Sequence, residues 1–449
     1  MKMKYCIGFL LLFCISFAQA SGSYTRDENK QVIAISADII KKQFVAKSVG
    51  ELVARKLMTA DFQARYGDIQ SRQEFAKMFS AELRQLSADN HIGLVYSPQD
   101  VKRYRAREEA KSNLSAKKAD DKNNAEALRE SSQANFGIQQ VRILEGDVGY
   151  LEMRYFDGFV DESAPVFASV MDLLASSKAI ILDLRRNGGG NSRILPLFLG
   201  YFLGPESIHF ATKNERWQHS SEKLFTRADV KGVRQFDKPL YILTSGTTFS
   251  LAEHITYHLK AFNRATVVGE RTYGGGKAFD PVIVNDDFYL RIPRIEMLNT
   301  VTNDMYVEGQ GITPDVLTTA QSALDKAYLL ALSKLQGNAQ EQESINYYQW
   351  VKRVVEAQAQ PEDLDFSLPP LTGRHSFDEF EFEIRDKVLW MSFRHLPWVE
   401  LINIGAGYFY DDRSIQRQFS FEQCNGQWRL QVLKPGQETV ALNETFDEK

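Results

Sequence analysis

The sequence predicts an α/β core that follows a helical N-terminal region and precedes a β-rich C-terminal region. Apolar positions recur at helical spacing over residues 31–58 and again over residues 71–86. Between residues 136 and 338, short apolar runs alternate with helical patterns, which is typical of parallel strands joined by crossover helices. After residue 370, aromatic and aliphatic residues alternate with acidic ones, which indicates strands with one buried face.

The first twenty residues have the features of an export signal. Two lysines precede an apolar stretch from Ile7 to Phe17, and the sequence Ala-Gln-Ala that ends at Ala20 fits a cleavage site of small residues. The apolar stretch is too short to span a bilayer, and no later stretch is long and apolar enough. We therefore expect a periplasmic or secreted protein, cleaved after Ala20, with no stable membrane insertion.

The composition bears on disulfide content, on the class of partner and on the number of domains. Two of the three cysteines lie in the signal, so Cys424 remains alone and the mature chain has no internal disulfide. The 449 residues carry a formal net charge of −4 at pH 7, which argues against nucleic acid as the main partner. We expect a packed protein of two or three domains.

The order of the patterns divides the chain into six parts. Charged residues dominate the third part and large apolar residues are scarce there, which favours a mobile or solvent-bridging linker. The predicted parts are a signal peptide (1–20), an N-terminal helical cap (21–100), a charged linker (101–135), an α/β core (136–338), a helical or linker segment (339–370) and a β-rich accessory domain (371–449).

Within the cap and the core, the predicted elements follow a clear order. A capping-box pattern begins the second cap helix at Ser71, and an Asn-Asp-Asp turn centres a hairpin near residue 286. The predicted elements after the cap helices are a strand at 92–96, a strand at 148–153, a helix at 163–174, a strand at 179–184, a helix ending near 203, a strand at 240–243, a helix ending near 262, a strand at 265–269, a hairpin at 282–295, a helix at 320–335 and a short helix at 347–355.

Ser250 is the best-placed nucleophile in the chain. It lies between the apolar strand 240–243 and the helix that follows, and a strand–turn–helix geometry exposes a serine at the carboxyl edge of a sheet. The unpaired N–H groups and the positive end of the helix dipole lie close to such a hydroxyl. The alternative interpretation is that Ser250 only caps the helix.

The Asn-Gly-Gly-Gly loop at residues 187–190 follows another buried strand. Glycines at that point let backbone N–H groups approach a substrate carbonyl, as an oxyanion hole requires. Candidate donors are the N–H groups of Gly188 and Gly189, with the N–H of Leu251 as a further donor. The alternative is that the glycines only tighten a strand–helix corner.

Four ordered motifs carry a resemblance to a known family. DLRRNGGG, TSGTTFSLAEH, VVGERTYGGG and EGQGITPD resemble successive blocks of the C-terminal processing (tail-specific) serine peptidases. That family includes the tricorn protease core and the interphotoreceptor retinoid-binding protein repeats. The resemblance covers residues 31–335 and implies a crotonase/Clp-like ββα spiral core, hydrolysis of peptide or unfolded protein substrates through an acyl-enzyme, and no cofactor. It leaves homo-oligomerisation open.

The same motifs favour one branch of the family. Many of these peptidases use a serine/lysine dyad, and Gly275 appears at the place of the lysine, with Lys277 two residues later. The tricorn-like branch uses a histidine and a glutamate instead. The resemblance therefore implies Ser250 as nucleophile, His91 as general base and Glu308 as the group that orients His91. Asn90 and Gly275 are implied as supporting residues, with Asn90 near the place of a serine in the tricorn core.

Other interpretations remain open at this point. The retinoid-binding repeats show that such a fold can serve as a binding module for apolar ligands or peptides, and a dyad that uses Lys277 is a third reading. Without the resemblance, each of these residues has a non-catalytic interpretation. His91 is then a histidine at the end of a helix, and Glu308 is an exposed carboxylate in a loop. Glu253 is a structural residue in the first turn of its helix. His254 and His258 are four residues apart on one helix, but no third ligand is evident, so we expect no metal site.

Overall fold

The computed structural model describes most of the chain after residue 24. The described residues are 25–110, 114–275, 278–304, 309–359, 369, 371, 373–405, 407–411, 417–434, 437 and 439–444. The helices within them are α1 (Arg26–Gln43), α2 (Lys47–Leu57), α3 (Ala60–Gly67), α4 (Arg72–Ser87), α5 (Pro98–Ala110), α6 (Leu114–Gln133), α7 (Val160–Leu173), α8 (Leu195–Phe202), α9 (Leu251–Ala261), α10 (Ala323–Asn338) and α11 (Gln342–Ala359).

The strands form four sheets. They are β1 (Gly93–Tyr96), β2 (Ile138–Leu144), β3 (Val148–Met153), β4 (Ala179–Asp183), β5 (His209–Glu215), β6 (Ser220–Phe225), β7 (Leu240–Thr244), β8 (Thr266–Gly269), β9 (Ala278–Ile283), β10 (Phe288–Asn299), β11 (Val316–Leu317), β12 (Arg374–Phe377), β13 (Phe380–Arg385), β14 (Val388–Phe393), β15 (Val399–Glu400), β16 (Ile402–Asn403), β17 (Tyr408–Asp411), β18 (Arg417–Cys424), β19 (Gln427–Leu433) and β20 (Val440–Asn443).

The N-terminal region is helical, but its first helix is not continuous. The periodicity predicts one helix over residues 31–58, whereas the structure has α1 and α2 with a break at Phe44. Phe44 adopts an extended conformation and is fully buried, and the N–H of Val45 donates to the carbonyl oxygen of Pro293 at 2.9 Å. The helix breaks there because the burial of Phe44 and the hydrogen bond to β10 take the place of the interactions that one further helical turn would make.

The described residues of the charged segment 101–135 are mostly helical. They form most of α5 and all of α6, and most of the side chains described in these helices are exposed. The hydroxyl of Ser131 donates to the carboxylate of Asp157, which fastens the end of α6 to the core. The lack of a wide apolar stripe therefore indicated a solvent-facing surface and not a lack of helix.

A six-stranded sheet forms the centre of the core. Its order is β11-β8-β7-β4-β3-β2, and all neighbouring pairs are parallel except β3 with β2. Ile180 and Leu182 pack on one face with α7, α8 and α9, while Ala179 and Ile181 pack on the other with α10 and α11. The inner strands β4 and β7 are mostly apolar because both faces of the sheet are buried there. The carboxyl ends of β4, β7 and β8 lie at one edge, which positions the loops that follow them together.

A second sheet joins the cap to the core. Its order is β1-β10-β5-β6, with β9 also paired to β10. The long strand β10 pairs antiparallel with β1 through Gly93 and Arg291, and with β5 through Leu298 and Thr212. The hairpin of β5 and β6 is an element that the sequence patterns did not predict. Because β1 follows His91 directly, this sheet fixes where the histidine loop meets the core.

The C-terminal region consists of two antiparallel sheets, β12–β15 and β16–β20. Their inner faces share one apolar cluster that is rich in phenylalanine, and Trp350 of α11 packs edge-to-face on Tyr410. The predicted fold class is confirmed: a mixed α/β core, a helical N-terminal region and a β-rich C-terminal part. Of the helices in the described residues, none combines the length and the apolar character that crossing a membrane requires.

Candidate active site

Ser250 lies on a sharp turn between the end of β7 and the start of α9. Its backbone has φ 56° and ψ −119°, a conformation that non-glycine residues rarely adopt and that costs on the order of 1–3 kcal/mol. Hydrogen bonds hold the turn in place: the N–H of Ser245 donates to Thr248 Oγ1, which donates in turn to the carbonyl oxygen of Leu184. Ser250 itself is half-buried. The turn therefore presents a strained, rigidly held serine at the carboxyl edge of the sheet.

Glu253 connects this turn to the glycine-rich loop after β8. Its side chain is fully buried in the first turn of α9. One carboxylate oxygen accepts from the N–H of Ser250 at 2.9 Å and from the N–H of Gly275 at 2.7 Å. The other accepts from the N–H of Gly274 at 2.8 Å and from the hydroxyl of Thr272. Hydrogen bonds from these donors offset the cost of burying the carboxylate. Glu253 therefore links the serine turn to the glycine-rich loop.

The loop of residues 187–190 lies directly against the serine turn. A side chain at Gly189, whose φ is +103°, would place its Cβ 2.8 Å from Ser250 Cβ and 3.0 Å from the nitrogen of Leu251. Glycine at 189 is therefore required for the close approach. Its N–H, however, already donates to Oδ1 of Asn187 at 2.9 Å. Among the described residues, no acceptor is recorded for the N–H of Gly188 or of Leu251.

Asn187 braces the glycine loop, although the sequence did not single out its side chain. It is fully buried, and its Nδ2 donates to the carbonyl oxygen of Met153 in β3 at 3.0 Å. Its carbonyl oxygen accepts from the N–H of Phe249 at 3.1 Å. One residue thus links the central sheet, the glycine loop and the serine turn, and fixes the backbone around the two free N–H groups.

His91 reaches the same place from the N-terminal region. Its ring stacks on the ring of Phe249, the residue before Ser250, with centroids 4.9 Å apart and an interplanar angle of 20°. The His91 residue is only 2% exposed. Among the described residues, no hydrogen bond joins the imidazole to Ser250 Oγ, and such bonds are often long in unliganded enzymes and shorten when substrate binds. The fold therefore brings the predicted base to the neighbour of the predicted nucleophile.

Gly275 leaves the space that the His91 ring occupies. A Cβ at this position would lie 2.7 Å from Cε1 of His91 and 2.1 Å from the ring of Phe249. No side chain fits there while the two rings stay stacked. This contact gives a physical reason why glycine, and not lysine, stands at position 275 in a chain that positions a histidine beside the serine.

Two of the predicted residues, Glu308 and Lys277, lie outside the described residues. Asn90 is half-buried in the turn that carries His91. The ring of His258 faces that of His254, and its Nδ1 lies 2.8 Å from Nδ2 of Asn299, which donates to it. Burial, together with the neighbouring His254, lowers the pKa of His258 to about 3.

Of the two bracing residues, only Glu253 carried a sequence signal. Ser250 to Glu253 match the S-x-x-E capping box, in which the glutamate accepts from the N–H of the first residue. The bonds of Glu253 to Thr272, Gly274 and Gly275 connect distant segments, and no local pattern reveals them. The side chain of Asn187 is likewise informative only when β3 is placed beside the loop.

Two family models match most of the N-terminal region and core. A model of peptidase family S41 matches residues 147–318, and a model of the N-terminal domain of peptidase S41 in eukaryotic IRBP matches residues 23–139. The chain is 27% identical over 179 residues to a carboxy-terminal-processing protease of Bartonella bacilliformis, covering 39% of each chain. It thus spans less than half the length of that relative.

Solved structures with a similar arrangement include two peptidases. One is a putative peptidase from Parabacteroides merdae, with a TM-score of 0.47, 14% identity and coverage of 70% of this chain and 99% of the other. The second is the photosystem II D1 C-terminal processing protease, with a TM-score of 0.42, 14% identity and coverage of 65% and 94%. On the strength of the two family models and the sequence relatives, this chain belongs to peptidase family S41.

Proposed function

We propose that the protein is an exported serine peptidase that hydrolyses peptide bonds with Ser250 as nucleophile, His91 as general base and Glu308 as the residue that orients His91. The observation that carries the proposal is the stacking of His91 on Phe249, beside a serine held at positive φ. Residues separated by about 160 positions meet at the carboxyl edge of the central sheet. Membership of family S41 supports the same activity.

The proposed reaction proceeds through an acyl-enzyme. Ser250 Oγ attacks the peptide carbonyl carbon while His91 takes the hydroxyl proton, and the carbonyl oxygen becomes an oxyanion. His91 then gives that proton to the leaving amine as the C–N bond breaks, which leaves an acyl-enzyme. Water, deprotonated by His91, attacks the ester and releases the acid and free Ser250. A general base of this kind contributes roughly 10²–10⁴-fold to the rate.

The oxyanion is assigned to the N–H groups of Gly188 and Leu251. Both are free of acceptors among the described residues, whereas the N–H of Gly189 is engaged by Asn187. Gly189 then serves the site through its missing side chain and not as a donor. The loss of one such donor typically costs on the order of 10²–10³ in kcat.

An active-site probe tests the assignment of the nucleophile. A fluorophosphonate should label the wild-type protein and fail to label Ser250→Ala, while Ser169→Ala, which removes an exposed helical serine, should label normally. His91→Gln should slow labelling and peptide hydrolysis while the thermal midpoint stays close to that of wild type. A Ser250→Ala variant that still cleaves a peptide library would show that the nucleophile is elsewhere.

Export is proposed from the first twenty residues, which lie outside the described part of the chain. Mass spectrometry of the protein produced in a Gram-negative host should show a mature form that begins at Ser21 in the periplasm or the medium. A cytoplasmic product that keeps Met1 would contradict this part of the proposal.

A further inference from the structure

Asp89 is a buried carboxylate beside His91 that the proposed mechanism has not used. Asp89 is 1% exposed and His91 is 2% exposed. Asp89 Oδ1 lies 3.7 Å from Nδ1 of the imidazole. Carboxylates are rarely buried to this extent without a specific partner, because burial disfavours the charged form.

The loop that carries Asp89 holds this carboxylate in one place. The helix α4 ends at Ala88 in a left-handed conformation, with φ 52° and ψ 39°, and the chain turns there. The N–H of His91 then donates to Asp89 Oδ1 at 2.8 Å, which closes a two-residue turn of the kind that aspartate favours. Beyond His91, pairing of β1 with β10 anchors the loop to the second sheet. The carboxylate and the imidazole are therefore fixed relative to each other.

We propose that Asp89 is a positioning residue that holds His91 in its working orientation and stabilises the imidazolium formed when His91 takes the Ser250 proton. This inference rests on the proposed function. A carboxylate within about 4–6 Å favours the charged form of an imidazole, and the effect is stronger where water is excluded. Asp89 itself gains and loses no proton.

The proposal assigns different roles to the two ring nitrogens. Nδ1 is the nitrogen that faces the carboxylate of Asp89, and Nε2 is the one assigned to take the serine proton. The distance of 3.7 Å exceeds that of a hydrogen bond, and we expect it to shorten when the acyl-enzyme forms. Asp89 supplies this charge from within the histidine loop, whereas the orienting role proposed for Glu308 comes from a segment far along the chain.

The decisive variant is Asp89→Asn. Asparagine keeps an oxygen that accepts from the His91 N–H, so the turn is preserved, but the negative charge is lost. We expect kcat for peptide hydrolysis to fall about 10²-fold with KM within about twofold of wild type, in keeping with the range for a weakened general base. Asp89→Ser, which also keeps an acceptor without charge, should behave the same way, and Asp89→Glu should recover part of kcat.

Two controls separate the outcomes. Asp38→Asn, which removes an exposed carboxylate of α1, should leave kcat unchanged. If Asp89→Asn and Asp89→Ser fold with wild-type kcat, Asp89 only shapes the turn and the inference is overturned. If the wild type shows no Ser250-dependent labelling or hydrolysis, the proposed function fails first and the inference falls with it. A loss confined to kcat in both variants, with unchanged thermal midpoints, supports the inference.

Discussion

The two halves of the candidate site are held in different ways. The serine half, formed by residues 187–190, 244–254 and 270–275, is held by hydrogen bonds between loops that leave neighbouring strands of one sheet. The histidine half arrives from the N-terminal region and meets the serine half through stacked rings and the pairing of β1 with β10. Directional bonds therefore preorganise the serine half, whereas the contact between the two halves includes ring packing, which a single misplaced atom can disturb.

The largest effect is expected at the stacked rings of His91 and Phe249. Gly275→Ala places a methyl group 2.7 Å from His91 and 2.1 Å from Phe249, so the stacked rings must move apart. A misplacement of about 1 Å can cost roughly 10²-fold, and we expect kcat/KM to fall by at least that much. Peptide hydrolysis and the rate of fluorophosphonate labelling measure the loss.

Gly246→Ala is the matched control for this substitution. A Cβ at Gly246, at the same edge of the sheet, meets its nearest neighbour, Glu270 Oε2, at an ordinary 3.8 Å. It should keep wild-type activity. A fully active Gly275→Ala would mean that the contact between His91 and Phe249 does not matter for turnover, and the packing half of the comparison would be wrong.

A smaller effect, mainly on stability, is expected in the serine half. Glu253→Gln replaces one acceptor oxygen with an amide group that faces N–H donors, which leaves buried donors unsatisfied. Each such group costs about 1–3 kcal/mol, so we expect a loss of about 2–4 kcal/mol in the free energy of unfolding. Denaturant unfolding measures this loss, and labelling of Ser250 should slow because its turn loosens.

Glu162→Gln provides the comparison for Glu253. Glu162 occupies the corresponding place in the first turn of α7, but it is exposed. Its replacement should change the unfolding free energy by no more than about 0.5 kcal/mol. Equal effects of the two substitutions would show that Glu253 acts only through the helix dipole and not as the tie between loops.

The difference between the halves also explains what the sequence could predict. The serine turn, the glycine loop and the strands beneath them are encoded by local patterns, so Ser250 and residues 187–190 could be located from chain order alone. His91 was recognised only through family resemblance, because nothing local says that a loop after α4 reaches β7. The break at Phe44 and the strand β5 were missed for the same reason: both pair with β10, and that partner lies far along the chain.

Acid should weaken the serine half through the helix that carries it. The pKa of His258 on α9 is lowered to about 3 by burial, so the folded protein binds its proton only well below the ordinary value of 6.5. The unfolded chain binds this proton below about pH 6.5. His258 therefore does not lower the free energy of unfolding above pH 6.5, but this free energy falls as the pH drops from 6.5 toward 3. The loss amounts to about 1.4 kcal/mol for each pH unit.

His258→Gln removes this titration while keeping a polar group beside Asn299. Denaturant unfolding at pH 7, 6 and 5 measures the free energy of unfolding. Between pH 7 and pH 5 wild type should lose about 2 kcal/mol more of it than the variant, because the contribution of His258 begins only near pH 6.5. His219→Gln, at an exposed position, should follow the wild-type curve. Parallel curves for wild type and His258→Gln would show that the pKa of His258 is the same in the folded and unfolded states. In that case the folded protein would accommodate a charged His258 on α9, and any loss of stability in acid would come from other groups.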